Sequence, residues 1–213
     1  MRYLYLHGFC SSPGSFKATW FQQRFGQLGI DLSIPDLNLG DFSHLTISGQ
    51  LDHVRQLILA ESGPITLIGS SLGGFLATLA AEYENQVTKM ILMAPAFGFV
   101  SRYFDRLDPE LLAAWRDCGY HQVLHYADNL EHPLHYQFIE DARQYERRQN
   151  WRQLPAQVFH GLQDETVPAE VSREYLQQNG QAHLIYLQDD HSLAAELELM
   201  WRYMRAFLPL TPE

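Results

Sequence analysis

Residues 65–83 read ITLIGSSLGGFLATLAAEY, and this stretch decides the fold. The apolar run at residues 65–68 predicts a buried strand, and residues 72–83 have the apolar spacing of a helix. Between them lies Gly-x-Ser-x-Gly over residues 69–73, in which glycines on both sides of Ser71 allow strand and helix to approach closely. We therefore predict a strand–turn–helix unit with Ser71 at the tip of a sharp turn.

The same alternation of strand and helix extends outward over a chain of 213 residues, a length that suits one domain spanning residues 1–213. Six short apolar runs are separated by segments of helical spacing, and they lie at residues 3–6, 30–34, 65–68, 90–93, 157–159 and 184–187. Strands that are apolar throughout and alternate with helices indicate a mostly parallel sheet with helices on both faces. We expect an α/β fold with about six strands.

Residues 98–155 interrupt this rhythm with helical segments and no convincing strand. We interpret them as a helical insertion over the carboxyl edge of the sheet. The insertion is either a lid or a longer crossover with an extra packing helix, since insertions of this length are often but not always functional.

The net charge of −10 argues against binding to nucleic acid or to anionic lipid, because phosphate recognition needs clustered Lys and Arg. The two cysteines, Cys10 and Cys118, make no disulfide framework. The sequence contains neither a signal-peptide core nor an apolar run of about 20 residues that could span a membrane. These features predict a cytoplasmic protein.

Asp164 and His191 follow Ser71 along the chain, each in a loop directly after a predicted strand. Loops at the carboxyl ends of parallel strands meet at one edge of the sheet, so we expect the three side chains to lie together. The order Ser, Asp, His is that of the α/β-hydrolase fold, which we therefore predict. His191 is expected to accept the Ser71 proton, and Asp164 to orient the imidazole and stabilise its charged form.

The neighbours of these residues supply an alternative acid and two expected oxyanion donors. Glu165, beside Asp164, is the alternative acid. The loop after the first strand and the residue after the nucleophile donate backbone N–H groups in this architecture, which assigns the oxyanion hole to Phe9 and Leu72.

Two blocks of the sequence, YLHGF at residues 5–9 followed by Ser11-Ser12-Pro13 and Lys17-Ala18, and GSSLGG at residues 69–74, resemble the small bacterial esterases of the YqiA type. That family belongs to the α/β-hydrolase superfamily and lacks its first two strands. The resemblance implies hydrolysis of carboxylic esters with short acyl groups and no cofactor. Lys17 matches the family pattern, and we expect it to be a solvated helix residue.

We predict a serine hydrolase, a carboxylesterase that cleaves a small acyl substrate through an acyl-serine intermediate. A thioesterase or a C–C hydrolase would use the same triad, and a catalytically silent binding protein on this fold is the alternative of another class. Four histidines of the insertion, at positions 121, 125, 132 and 135, could pair on helical faces, but no Cys joins them. We interpret them as a polar helical surface and predict no metal site.

Overall fold

A computed structural model describes residues 1–146 and 151–210 of the chain. Its strands are β1 (Arg2–Leu6), β2 (Ile65–Ser70), β3 (Val87–Met93), β4 (Tyr120–His125), β5 (Leu130–His135), β6 (Ala156–Gly161) and β7 (Ala182–Leu187). Its α-helices are α1 (Phe16–Gly26), α2 (Ile47–Leu59), α3 (Leu72–Tyr83), α4 (Phe99–Arg102), α5 (Pro109–Cys118), α6 (Gln137–Arg143), α7 (Glu170–Gln178) and α8 (Leu197–Phe207).

In the described residues, five strands form one parallel sheet in the order β1-β2-β3-β6-β7. Because all five run in one direction, their carboxyl ends share one edge of the sheet. The segments that follow β1, β2, β6 and β7 there contain Phe9, Ser71, Asp164 and His191, respectively. The predicted α/β-hydrolase fold is confirmed.

Successive strand residues pack on opposite faces of the sheet, which accounts for runs that are apolar throughout. In β1, Leu4 and Leu6 belong to one buried cluster, and Tyr3 and Tyr5 belong to the other. Helices α2, α3 and α7 contribute to the first cluster, while α1 and α8 contribute to the second. The sheet is thus covered on both faces, as the sequence predicts.

The prediction of a sixth strand at residues 30–34 is wrong. This segment makes a single parallel bridge, between Ser33 and Leu4, beside β1. Two backbone hydrogen bonds hold it there, Tyr5 N–H to the Ser33 carbonyl at 2.8 Å and Ser33 N–H to the Tyr3 carbonyl at 3.0 Å. Leu32 is buried in the second cluster, so the segment packs against the sheet without extending it.

The insertion at residues 98–155 contains a β-hairpin, which the prediction of a purely helical segment missed; residues 147–150 lie outside the described part of the chain. Strands β4 and β5 pair antiparallel in a separate sheet of two strands. Side chains of the insertion, including Phe104, Trp115 and Phe138, belong to the same buried cluster as the strands of the main sheet. The insertion therefore shares the core of the domain.

The four histidines of the insertion lie on this hairpin and not on a helical surface, which corrects our interpretation of them. His121 and His125 are in β4, and His132 and His135 are in β5. The rings of His125 and His132 are 5.4 Å apart, and His132 lies 2.7 Å from the Asp128 carboxylate. Among the described residues, no group of three or more His, Cys, Asp or Glu side chains is arranged to hold a metal ion.

None of the helices within residues 1–146 and 151–210 combines the length and the apolar character needed to cross a bilayer.

Candidate active site

Ser71 lies at the turn between β2 and α3 with backbone angles of φ 53° and ψ −119°. A non-glycine residue with positive φ costs about 1–3 kcal/mol, so the surrounding structure must hold the turn in place. It does so through the backbone of Ser71: its N–H donates to the Met93 carbonyl at 2.8 Å, and its carbonyl accepts from Ala96 N–H at 3.1 Å. The half-buried side chain is thereby held at the carboxyl edge of the sheet, where the cavity described below can reach it.

The glycines on either side of Ser71 are required by close backbone contacts. A Cβ at Gly73 would collide with the carbonyl of Leu6 in β1, and a Cβ at Gly69 would collide with the backbone of Gly73 and Gly74. The sequence pattern of residues 69–73 is therefore a steric consequence of a helix that begins directly against two neighbouring strands.

Ser71, His191 and Asp164, which the sequence places 120 and 27 residues apart, form a hydrogen-bonded chain. The Ser71 hydroxyl lies 3.0 Å from Nε2 of His191, and Nδ1 of His191 lies 2.7 Å from Oδ2 of Asp164. With the ring proton on Nδ1, His191 donates to the carboxylate and can accept the hydroxyl proton at Nε2. Glu165, the alternative acid, is exposed and makes no such contact.

The Asp164 carboxylate is fully buried and yet held ionised. Burial alone would raise the pKa of Asp164, but hydrogen bonds from His160, His191 and the Val167 N–H outweigh it, so that the pKa lies well below its usual value. Its other oxygen accepts from the N–H groups of Thr166 and Val167 at 2.9 and 2.7 Å. A fixed negative charge thus lies behind His191 at neutral pH.

His160 is a supporting residue that the sequence did not single out. Its side chain is completely buried, with Nε2 3.3 Å from the Asp164 carboxylate. Nε2 also lies 2.8 Å from the Val167 carbonyl, and Nδ1 lies 2.7 Å from the Ser172 hydroxyl. These bonds link the loop that contains Asp164 to α7. The position of His160 at the end of a strand, four residues before Asp164, was the available signal.

The loop after β1 approaches Ser71 closely, as expected for a loop that supplies an oxyanion donor. A Cβ at Gly8 would lie 3.3 Å from Cβ of Ser71. The buried His7 ring fixes this loop, since Nδ1 lies 2.9 Å from the Gly8 carbonyl and Nε2 accepts from the Leu37 N–H at 3.0 Å. Phe9 follows directly. Leu72 is the first residue of α3, where backbone N–H groups have no partner within the helix.

A cavity of about 470 Å³ opens beside Ser71 and His191. Its wall is largely apolar and aromatic, and it includes Phe9, Phe16, Phe97, Phe99, Tyr103, Tyr126 and Val167. Phe99, Tyr103 and Tyr126 come from the insertion, and the Tyr126 N–H donates to the Cys10 carbonyl at 2.9 Å. This size and lining are typical of a pocket for a small organic molecule.

Lys17, which we expected to be a solvated helix residue, lines this cavity and is half-buried. It is the second residue of α1, and that helix begins close to the loop after β1. Beyond the family resemblance, no residue pattern predicts this placement, because the helical spacing of α1 does not reveal which neighbour its first turn faces.

Known protein families and solved structures include proteins that are similar to this chain in sequence or in fold. A family model described as an uncharacterised protein family, UPF0227, matches residues 2–208. No curated protein matches the chain.

Three of the similar solved structures illustrate the fold. A putative hydrolase from Agrobacterium vitis S4 is 24% identical, with a TM-score of 0.82 over 96% of this chain and 86% of that chain. The α/β hydrolase domain-containing protein 10 from mouse is 22% identical, with a TM-score of 0.78 over 95% of this chain and 87% of that chain. A monoacylglycerol lipase from Paleococcus ferrophilus is 14% identical, with a TM-score of 0.67 over 96% of this chain and 94% of that chain.

Proposed function

The chain belongs to the uncharacterised protein family UPF0227, in agreement with its resemblance to the YqiA type, and from this starting point we propose that it is a serine hydrolase acting as a carboxylesterase on small acyl esters. The observation that carries the proposal is the unbroken relay from the Ser71 hydroxyl through His191 to Asp164, with distances of 3.0 and 2.7 Å. The names of similar structures, which include a hydrolase and a monoacylglycerol lipase, support it.

In the first step, the Ser71 oxygen attacks the ester carbonyl carbon while Nε2 of His191 takes the hydroxyl proton. The ionised Asp164 stabilises the imidazolium and keeps the proton on Nδ1 in the resting state. The negative charge that develops on the carbonyl oxygen is stabilised by the backbone N–H groups of Phe9 and Leu72, aided by the positive end of α3. Each such donor contributes about 3 kcal/mol in the transition state.

When the tetrahedral intermediate collapses, the ester C–O bond breaks and His191 gives its proton to the departing alcohol. The acyl group is then bound to Ser71 as an ester. A water molecule, deprotonated by His191, attacks this second ester in the same way, and the carboxylic acid leaves with Ser71 regenerated. The aromatic wall of the cavity supplies the apolar surface that a short acyl chain or an aryl alcohol would contact.

The test is labelling with a fluorophosphonate probe together with hydrolysis of 4-nitrophenyl acetate. We expect one probe molecule per chain on wild-type protein, and both labelling and turnover abolished in Ser71→Ala. Ser70→Ala is the matched control, because Ser70 is the buried last residue of β2 and should leave labelling intact. A Ser71→Ala protein that hydrolyses the ester at the wild-type rate would overturn the proposal, since triad losses cost several powers of ten.

A further inference from the structure

The cavity beside Ser71 differs in charge from the rest of the molecule. The chain has a net charge of −10, yet the cavity wall contains Lys17 and Arg102 and, among the described residues, no Asp or Glu. A cavity with one sign of charge and apolar walls concentrates ligands of the opposite sign. The charged side chains that line the cavity would therefore attract an anionic group, although the overall charge of the chain would repel one.

Of these two cationic side chains, Lys17 is the one without an ion pair in the described part of the chain. Arg102 lies 3.7 Å from the Glu174 carboxylate, which offsets its charge. Lys89, the other lysine of the chain, donates to the Phe207 carbonyl at 2.9 Å and lies over the Phe207 ring. The Lys17 ammonium makes neither a hydrogen bond nor an ion pair with any residue in the described ranges, 1–146 and 151–210.

Three carboxylates act on Lys17 from a distance without bonding to it. Burial lowers the pKa of Lys17 to about 8, and the charges of Asp189, Asp164 and Asp190 oppose that effect, so the ammonium form prevails at neutral pH. All three carboxylates are occupied by other donors. Asp189 accepts from the N–H groups of Asp190, Ala195 and Glu196, Asp190 accepts from Ser192, and Asp164 is bound as described above.

A half-buried ammonium that is held charged has three free donors, which it can offer to a ligand in the cavity. We propose that Lys17 is a specificity-determining residue that binds an anionic group, a carboxylate or phosphate, on the substrate whose acyl group is transferred to Ser71. The anionic group belongs either to the acyl chain or to the alcohol or thiol that leaves. This inference rests on the proposed serine hydrolase and adds its substrate class.

The experiment compares kcat/KM for two matched pairs of esters. The first pair is mono-4-nitrophenyl adipate and 4-nitrophenyl 6-methylheptanoate. Their acyl chains differ only at the end, which is a carboxylate in the adipate and an isopropyl group of similar shape in the other ester. The second pair is 4-carboxyphenyl butyrate and 4-acetylphenyl butyrate, which differ in the leaving group. Each pair gives a ratio of anionic to neutral kcat/KM, measured for wild-type protein, Lys17→Met, Lys17→Arg and Lys89→Met.

We expect Lys17→Met to lower the ratio at least about tenfold in one pair, the loss typical of a charge-assisted hydrogen bond, and that pair identifies the side that carries the anion. Lys17→Arg should keep the ratio within about threefold of wild type, because the charge is retained. Lys89→Met, the same substitution outside the cavity, should not change it.

A Lys17→Met protein with unchanged ratios in both pairs would overturn the inference. That outcome includes an equal loss on anionic and neutral esters, which would mean that Lys17 only supports the three carboxylates. Failure of the proposed function has a different signature: wild-type protein would take up no fluorophosphonate and would cleave none of the four esters, and both proposals would then fall.

Discussion

The imidazole of His160 lies 3.3 Å from the Asp164 carboxylate, and Nδ1 of His191 lies 2.7 Å from the same carboxylate. Asp164 is therefore held between two histidines, one that faces Ser71 and one that is buried and tied to α7. His160 is also hydrogen-bonded to the Val167 carbonyl and the Ser172 hydroxyl. The Asp164 carboxylate therefore cannot rotate without breaking hydrogen bonds to residues that are themselves held in place. This arrangement fixes both the charge and the direction of the acid.

The first prediction concerns the charge of this acid. Asp164→Asn should lower kcat for 4-nitrophenyl acetate about 10³–10⁴-fold, because an amide can donate to Nδ1 of His191 and leave Nε2 protonated, unable to accept the Ser71 proton. Steady-state kinetics at saturating ester checks this. Glu165→Gln is the control and should retain wild-type kcat, since Glu165 is exposed. The opposite pattern would assign the acid to Glu165.

The second prediction is a pH dependence of stability. The folded-state pKa of Asp164 lies below its unfolded value of about 3.9, so the ionised carboxylate stabilises the fold fully above that pH. As the pH falls below about 4 and through the folded pKa, this stabilisation is lost. The free energy of unfolding of wild-type protein should therefore approach that of Asp164→Asn at acid pH. Urea unfolding at pH 7 and at several values below 4 measures it; a difference that stays constant contradicts it.

The third prediction tests the close packing at the turn that presents Ser71. Gly73→Ala should destabilise the protein by about 3 kcal/mol or more, because the new Cβ would meet the Leu6 carbonyl, which belongs to a buried part of β1 that is paired with β2 and cannot shift freely. Gly26→Ala is the matched control: Gly26 is the exposed last residue of α1 with nothing within 4 Å of its added Cβ. It should be neutral or stabilising by about 0.5 kcal/mol. Equal stability of the two variants in urea would contradict the steric explanation.

The turn at Ser71 could be predicted from a local motif, and the convergence of Asp164 and His191 from the order of strands and loops along the chain. Gly-x-Ser-x-Gly follows an apolar run, and the edge of a parallel sheet then determines where the later loops lie. The hairpin of β4 and β5 has no such signal. Its strands alternate weakly, mix histidines with apolar residues, and contain Pro133, which disfavours a strand except at an edge.

The position of Lys17 in the cavity wall could not be predicted, for a different reason. Its placement depends on how α1 packs against the sheet and on three carboxylates that are more than 140 residues away in the chain. Helical spacing identifies the buried face of α1, which includes Ala18, Phe21 and Phe25, but it does not identify a cavity that borders this face. Only the packed fold brings the ammonium next to the carboxyl edge of the sheet.

The last prediction is that preference for an anionic ester depends on the protonation of Lys17. The pKa of Lys17 is lowered to about 8, so its charge is present below that pH and is lost as the pH rises through it. The ratio of kcat/KM for the anionic and the neutral ester should therefore fall between about pH 7 and pH 9.5 in wild-type protein. Any effect of pH on the catalytic steps that the two esters share cancels in the ratio. In Lys17→Arg the ratio should stay flat, because the guanidinium keeps its charge. A wild-type ratio that does not change with pH would show that the ammonium does not contact the anion.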